Sequence, residues 1–252
     1  MPSPFKLLDP YAREDRDRFF GREKESAQLF NAVFASHLTL LYGASGTGKT
    51  SLVQCGLGNL LHDSDWLPLF VRRGRDLNAS LTQALVQALD PENPQDRQAF
   101  AALETEEKIR MVYRDHYRPV FLIFDQFEEL LILGQEAEKQ RFYEDMRRLM
   151  ESSLQVKVVI IIREEWIAWL NAFEKVVPKL FDNRLRIEKM SDRSLSRVVA
   201  GTLREAGVGL REPARTVGAM LENLRDPREG VDLTHLQVYL DRLYRQAAKS
   251  QQ

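Results

Sequence analysis

The chain has 252 residues, 44% of them hydrophobic, with 36 Lys+Arg against 37 Asp+Glu and a formal net charge of −1. That suits one large packed domain, or a core with a smaller appendage, and excludes default disorder and a global electrostatic footprint for nucleic acid, leaving only a local basic patch. One cysteine, Cys55, and four scattered histidines exclude a disulfide framework and the usual zinc spacings. The N-terminus, MPSPFKLLDPYARED, lacks the charged start and apolar core of a signal peptide. No apolar run approaches the roughly 18 to 20 residues of a membrane span, so a soluble protein in a reducing, cytoplasmic setting is expected, with no membrane partner.

Four short apolar runs read as strands buried on both faces: HLTLLY at 37–42, LPLFVRR at 67–73, VFLIFD at 120–125 and VKVVIII at 156–162. Between them, residues 50–61, 80–89, 95–117 and 137–151 carry apolar residues at helical spacing, for example Phe142, Met146 and Leu149. PENPQD at 91–96 reads as a surface loop. Alternating strands and helices predict a mostly parallel sheet covered on both sides. From about residue 190 only helical patterns follow. Ser191 caps the first, with Leu195, Val198, Val199 and Leu203 on one face and Gly207 near its stop. The second covers roughly 211–225, and the third runs from about Asp232 with Leu233, Leu236, Leu240 and Leu243 inward. The expected domains are therefore an α/β core at 1–190 and a small all-helical domain at 191–252.

GASGTGKT at 43–50 matches G-x-x-x-x-G-K-[ST] and lies between a strand and a helix, as its mechanism requires. Gly43, Ser45, Gly46, Thr47 and Gly48 belong to a loop whose backbone N–H groups turn toward phosphate, and the following helix, with Ser51 in its first turn, adds its positive end. Lys49 would reach the β- and γ-phosphates, and the Thr50 hydroxyl would ligate Mg²⁺. FLIFDQFEEL at 121–130 supplies the acidic partner: Asp125, at a strand exit, is the expected magnesium carboxylate. Glu128 and Glu129 have two readings, activation of the attacking water or a favourable helix first turn. Arg163, at the exit of the fourth strand, either senses the γ-phosphate or pairs with Glu164 or Glu165.

Together, GREKE at 21–25, GASGTGKTSLV at 43–53, VFLIFDQFEEL at 120–130, IIREEW at 161–166 and HLQVYLDRLYR at 235–245 resemble the STAND class of signal-transduction P-loop NTPases, and most of all its bacterial novel STAND branch with a DQFEE acidic motif. The resemblance implies a three-layer P-loop NTPase core of the additional-strand, AAA-like type, followed by a helical lid. It implies ATP or ADP with Mg²⁺ as ligands, Gly21 and Arg22 as adenine-side contacts, and Arg163 as γ-phosphate sensor. It also implies a signalling or antiviral defence setting, self-association in the ATP-bound state, and sensor and effector modules on a longer polypeptide or a partner. Two departures stand out. The first lid helix lacks the proline that such lids present to adenine, and Gln126 occupies the place where related ATPases carry a catalytic glutamate. A neutral amide orients water but takes no proton, so slow hydrolysis and a switch closed with ADP and open with ATP are expected.

The rival readings are an ATPase that loads on or remodels nucleic acid, a nucleotide-binding scaffold without turnover, and a small-molecule kinase. The first rests on Arg72, Arg73 and Arg75, which also read as a solvated loop. Cys55 reads as a small core residue, and His235 as a packing residue on an apolar helix rather than a phosphate ligand.

Overall fold

The structure is a computed structural model that describes residues 5–7, 9–90, 94–226 and 230–249. After a 3₁₀ helix at Arg13–Arg18 come α1 (Glu23–Ala35), β1 (Leu38–Gly43), α2 (Lys49–Ser51, continued by a π-helical turn over Leu52–Leu57) and β2 (Leu67–Val71). Then follow α3 (Leu77–Leu89), α4 (Pro94–Ala101), α5 (Thr105–His116), β3 (Val120–Phe124), α6 (Glu128–Leu133) and α7 (Glu136–Glu151). The chain continues through β4 (Val156–Arg163), a 3₁₀ helix at Glu164–Leu170, α8 (Asn171–Val176), β5 (Arg184–Arg186), α9 (Asp192–Glu205), α10 (Pro213–Leu224) and α11 (Leu233–Lys249).

The chain forms two compact units. One is built from residues 30–42 and 61–186. Its centre is a five-stranded parallel sheet in the order β2-β3-β4-β1-β5. β1, β3 and β4 are buried as their apolar runs predict, whereas β2, at the sheet edge, departs from the expectation of burial on both faces: only Val71 is buried and Phe70 is exposed. Phe121 meets Trp66 and Phe34 on one side, while Phe124, three residues on and so on the opposite face, meets Phe142 of α7. All five residues of β3 are buried, each large apolar side chain contributing about 1.5–3 kcal/mol relative to exposure. The order sets one strand, β4, between β1 and β3.

The second unit combines the described residues within Met1–Leu29, Gly43–Leu60 and Ile187–Gln252. Its core joins Phe5 to Leu195, Val199 and Leu203 of α9, Val217 and Leu221 of α10, and Leu236 and Leu240 of α11. Ser191 caps α9 by accepting from the N–H of Ser194 at 3.2 Å, and Gly207, at φ +70°, follows its end. The phosphate-loop segment thus shares a unit with the helical segment that follows residue 190.

Three sequence expectations need correction. The 95–117 pattern is two helices, because Glu104 leaves helical geometry (ψ 151°) and α5 restarts where the Thr105 hydroxyl donates to Asp145 of α7 at 2.7 Å. Of the 91–96 loop, residues 91–93 lie outside the described residues, and from Pro94 the chain is helical. A fifth strand, β5, exists; three residues with two arginines carry no apolar signature, and the strand forms because β1 offers it a parallel edge, with Leu41 opposite Leu185.

Candidate nucleotide site

The loop after β1 is shaped by positions that exclude side chains. A Cβ on Gly43 would stand 2.3 Å from the Ile187 carbonyl oxygen, and Gly46 and Gly48 adopt φ of +72° and +83°, conformations that favour glycine. The buried Thr47 hydroxyl donates to the Ala44 carbonyl at 3.0 Å, tightening the turn. Lys49 opens α2, and its Nζ donates to the Gly43 and Ala44 carbonyls at 2.9 and 2.8 Å. Thr50 is half-buried, Ser45 is exposed, and the Ser51 hydroxyl accepts from the N–H of Tyr11 at 3.0 Å. In the π-helical turn the Gly58 N–H donates to the Val53 carbonyl at 3.2 Å, a local widening of a kind frequent at functional sites. Cys55 is buried in this turn, and burial pushes its thiol up to about 11, so it is the core residue that the sequence suggested.

The GRE segment braces the same loop. Gly21, at φ +83°, leaves room for the Ser194 carbonyl, which a Cβ would meet at 3.0 Å. Arg22 is only 2% exposed; its Nη2 donates to the Thr47 and Glu188 carbonyls at 2.9 and 2.8 Å, and its Nη1 to Glu25 at 2.6 Å. A buried guanidinium thus fixes the loop backbone at Thr47. On the lid side, the Asp232 carboxylate caps α11 and comes to Gly46, and Leu233 comes to Gly48. His235 is exposed in that first turn rather than packed, because the apolar face of α11 runs through Leu236 and Leu240.

In the sheet unit, the acidic motif meets arginines from both neighbouring strands. Asp125 follows β3, and its carboxylate is buried. Its Oδ2 accepts from Nε and Nη2 of Arg72 at 3.0 and 2.6 Å, while Oδ1 accepts from the N–H of Gln126 at 3.1 Å. Gln126 turns the chain at φ +58°, a left-handed conformation that costs a non-glycine residue on the order of 1 kcal/mol. Glu128, 5% exposed, forms an ion pair with Arg163, Oε1 lying 3.0 Å from Nε, and its Oε2 accepts from the Arg163 N–H at 3.3 Å. Glu129 is half-exposed, and both glutamates lie in the first turn of α6. Arg163 therefore pairs with Glu128 rather than with its chain neighbours; Glu164 pairs with Arg186 at 3.0 Å. Arg73 is likewise occupied, bound at 2.9 and 2.8 Å to the buried Glu138, which also accepts from the N–H of Leu77 at 2.7 Å. Burial alone raises the Glu138 carboxyl, but the hydrogen bonds from Arg73 and Leu77 outweigh it and hold the group below its usual range. The expected basic cluster is thus, at Arg72 and Arg73, a pair of internal counter-ions.

Asp125 is a buried carboxylate already compensated by the Arg72 guanidinium, so a cation would have to share it with Arg72 or displace that arginine. Among the described residues no three His, Cys, Asp or Glu side chains gather to hold a metal by themselves, so magnesium here would depend on phosphate oxygens, as that ion usually does. Sequence reasoning missed the Arg72 partnership because it depends on the register of two strands. Val71 is in register with Phe124, so the next residue of each strand, Arg72 and Asp125, leaves the sheet side by side. Asp232 was missed because nothing in a capping aspartate announces a distant glycine.

A parallel sheet with β4 between β1 and β3, a glycine-shaped loop after β1 and an acidic residue after β3 define a P-loop nucleoside triphosphatase fold. The chain belongs to the Novel STAND NTPase 1 family, whose model matches residues 4–252. Among solved structures, a Walker-type ATPase of Pyrococcus abyssi is similar at 19% identity and a TM-score of 0.63, over 94% of this chain and 71% of that one. The Aeropyrum pernix ORC1 protein, solved in complex with DNA, is similar at 19% identity and 0.60, over 90% of this chain and 61% of that one. AMPPCP-bound DnaA from Aquifex aeolicus is similar at 18% identity and 0.56, over 95% and 67% respectively. The chain thus spans less than two thirds of the ORC1 chain. No curated protein matches. Among the described residues, no helix is long and apolar enough to cross a membrane.

Proposed function

We propose that this chain is the ATP-binding, slowly hydrolysing switch module of a signalling protein, closed with ADP and opened by ATP. The observation that carries the reading is that both acids expected to serve hydrolysis, Asp125 and Glu128, are held by arginines, while the residue after Asp125 is a glutamine. The phosphate loop, with Lys49 and the N-terminal amides of α2, binds the phosphates through charge-assisted hydrogen bonds. Thr50 and Asp125 are the residues that would hold magnesium, which when bound neutralises charge on the β- and γ-phosphates. Arg22 fixes the loop backbone at Thr47, and with Gly21 it forms the base-side wall. Arg163 reads the γ-phosphate. Because Glu128 is committed to Arg163, it accepts a proton from water only after that pair opens, and Glu129 is the alternative base. Turnover is slow as long as neither glutamate reaches the attacking water.

In this reading residues 1–190 form the NTPase core and 191–252 the lid. ATP-bound chains self-associate, and sensor and effector modules, on a longer polypeptide or a partner, link the switch to bacterial signalling or defence in the cytoplasm. A scaffold that binds nucleotide without turnover is the limiting case of the same site.

The decisive experiment is calorimetry with ADP and ATP on Lys49→Ala and on the parent chain. Loss of tight binding in the variant is expected, and unchanged affinity would reject the loop assignment. Turnover of the parent chain is expected below about one per second, the low end of ordinary enzymes. Faster hydrolysis would reject the switch.

A further inference from the structure

Asp232 opens α11, the last lid helix, and one of its oxygens is committed to capping. Oδ1 accepts from the N–H groups of Thr234 and His235 at 2.8 and 3.0 Å, which fixes the direction of the carboxylate. Oδ2 accepts no hydrogen bond among the described residues and lies 2.7 Å from where a Cβ on Gly46 would stand. Leu233 Cδ1 lies 3.7 Å from the corresponding position on Gly48. The first turn of α11 therefore rests on the crown of the phosphate loop and presents a negatively charged oxygen to it. Everything else in the loop is arranged to attract anions: the backbone N–H groups, the helix start and Lys49. A carboxylate at that place works against them.

We propose that Asp232 sets the nucleotide preference of this chain, favouring the diphosphate over the triphosphate by like-charge repulsion; the inference rests on the loop being the nucleotide site. Repulsion from a fixed carboxylate grows with the charge of the bound phosphate chain, so the additional phosphoryl group of the triphosphate carries the larger penalty. Glycine at 46 is what lets the carboxylate approach, since a side chain there would occupy its position. The lid thereby reports on the nucleotide: a triphosphate enters fully only when the first turn of α11 moves off the loop.

The isosteric change Asp232→Asn tests this, because asparagine caps a helix as well as aspartate does and removes only the charge. Calorimetry on the full chain, with ADP and with a non-hydrolysable ATP analogue at fixed magnesium, gives the ratio of the two affinities. The variant is expected to bind the ATP analogue at least about fivefold more tightly, the scale of two unit charges about 4 Å apart in water, with the ADP affinity changed much less. The shift is expected to shrink at high salt, since it acts through space. An affinity ratio equal in the two proteins, with both nucleotides still bound, overturns the inference and leaves Asp232 a helix cap. Failure of the parent chain to bind either nucleotide overturns the loop assignment and the inference with it.

Discussion

Asp125 and Arg72 are the residues that most change the meaning of the acidic motif. A solvated strand exit would leave the carboxylate in water, whereas this one is 4% exposed and compensated by a guanidinium reaching it with two nitrogens. A cation that binds Asp125 has to displace Arg72 or share the carboxylate with it. Arg72 is half-exposed, so it leaves without stranding a buried charge. Replacing Arg72 with glutamine removes the competitor, and a hydrogen bond to a charged group contributes about 1.5–3 kcal/mol. The magnesium concentration giving half-maximal enhancement of nucleotide binding is therefore expected to fall about tenfold in Arg72→Gln, equivalent to ~1.4 kcal/mol. A calorimetric magnesium series reads this directly, and a midpoint that stays or rises would show that Arg72 supports the carboxylate rather than competing for it.

The elements show what pattern reasoning captures and where it stops. β1, β3 and β4 were legible because a strand buried on both faces is almost continuously apolar; β2, at the sheet edge with only Val71 buried and Phe70 exposed, was legible from its apolar character although it is not covered on both sides. α9 was legible from its cap, stripe and stop. The break at Glu104, the strand β5 and the pairing of Arg72 with Asp125 were not, because each depends on a neighbour brought close by the fold: α7, β1 and β3. The same distinction applies to glycines inside helices. Gly201 of α9 and Gly218 of α10 look alike in sequence, yet a Cβ on Gly201 would stand 2.6 Å from the ring of Phe20, while one on Gly218 would meet nothing within 4 Å. Gly201→Ala is expected to destabilise the protein by about 1–3 kcal/mol through overpacking. Gly218→Ala is expected to stabilise it by about 0.5–1 kcal/mol, the helix preference of alanine. Thermal melts of the two variants should move in opposite directions, and a parallel shift would contradict the placement of Phe20 against α9.

At the scale of the whole molecule, the question is whether an NTPase fold similar to ORC1 and DnaA works here on nucleic acid. The charge of the chain gives that reading no support. The chain carries 36 basic residues against 37 acidic ones, and two of the three arginines of the basic cluster are already paired with buried carboxylates, Arg72 with Asp125 and Arg73 with Glu138, which leaves Arg75 exposed. Non-specific binding to duplex DNA comes almost wholly from cations that release counter-ions, and proteins equipped for it reach dissociation constants of about 10⁻⁴–10⁻⁶ M at physiological salt. Arginines already paired with buried carboxylates release none unless those pairs break, which for Glu138 leaves a buried charge uncompensated at a cost of about 3–5 kcal/mol. Fluorescence anisotropy with a labelled duplex, with and without ATP, is therefore expected to give a dissociation constant weaker than about 10⁻⁴ M. DNA is likewise expected to leave ATP turnover unchanged. Micromolar binding that weakens steeply between low and high salt, together with stimulated turnover, would transfer the chain from switch to DNA-acting ATPase, and would require the Arg72 and Arg73 pairs to open when DNA binds.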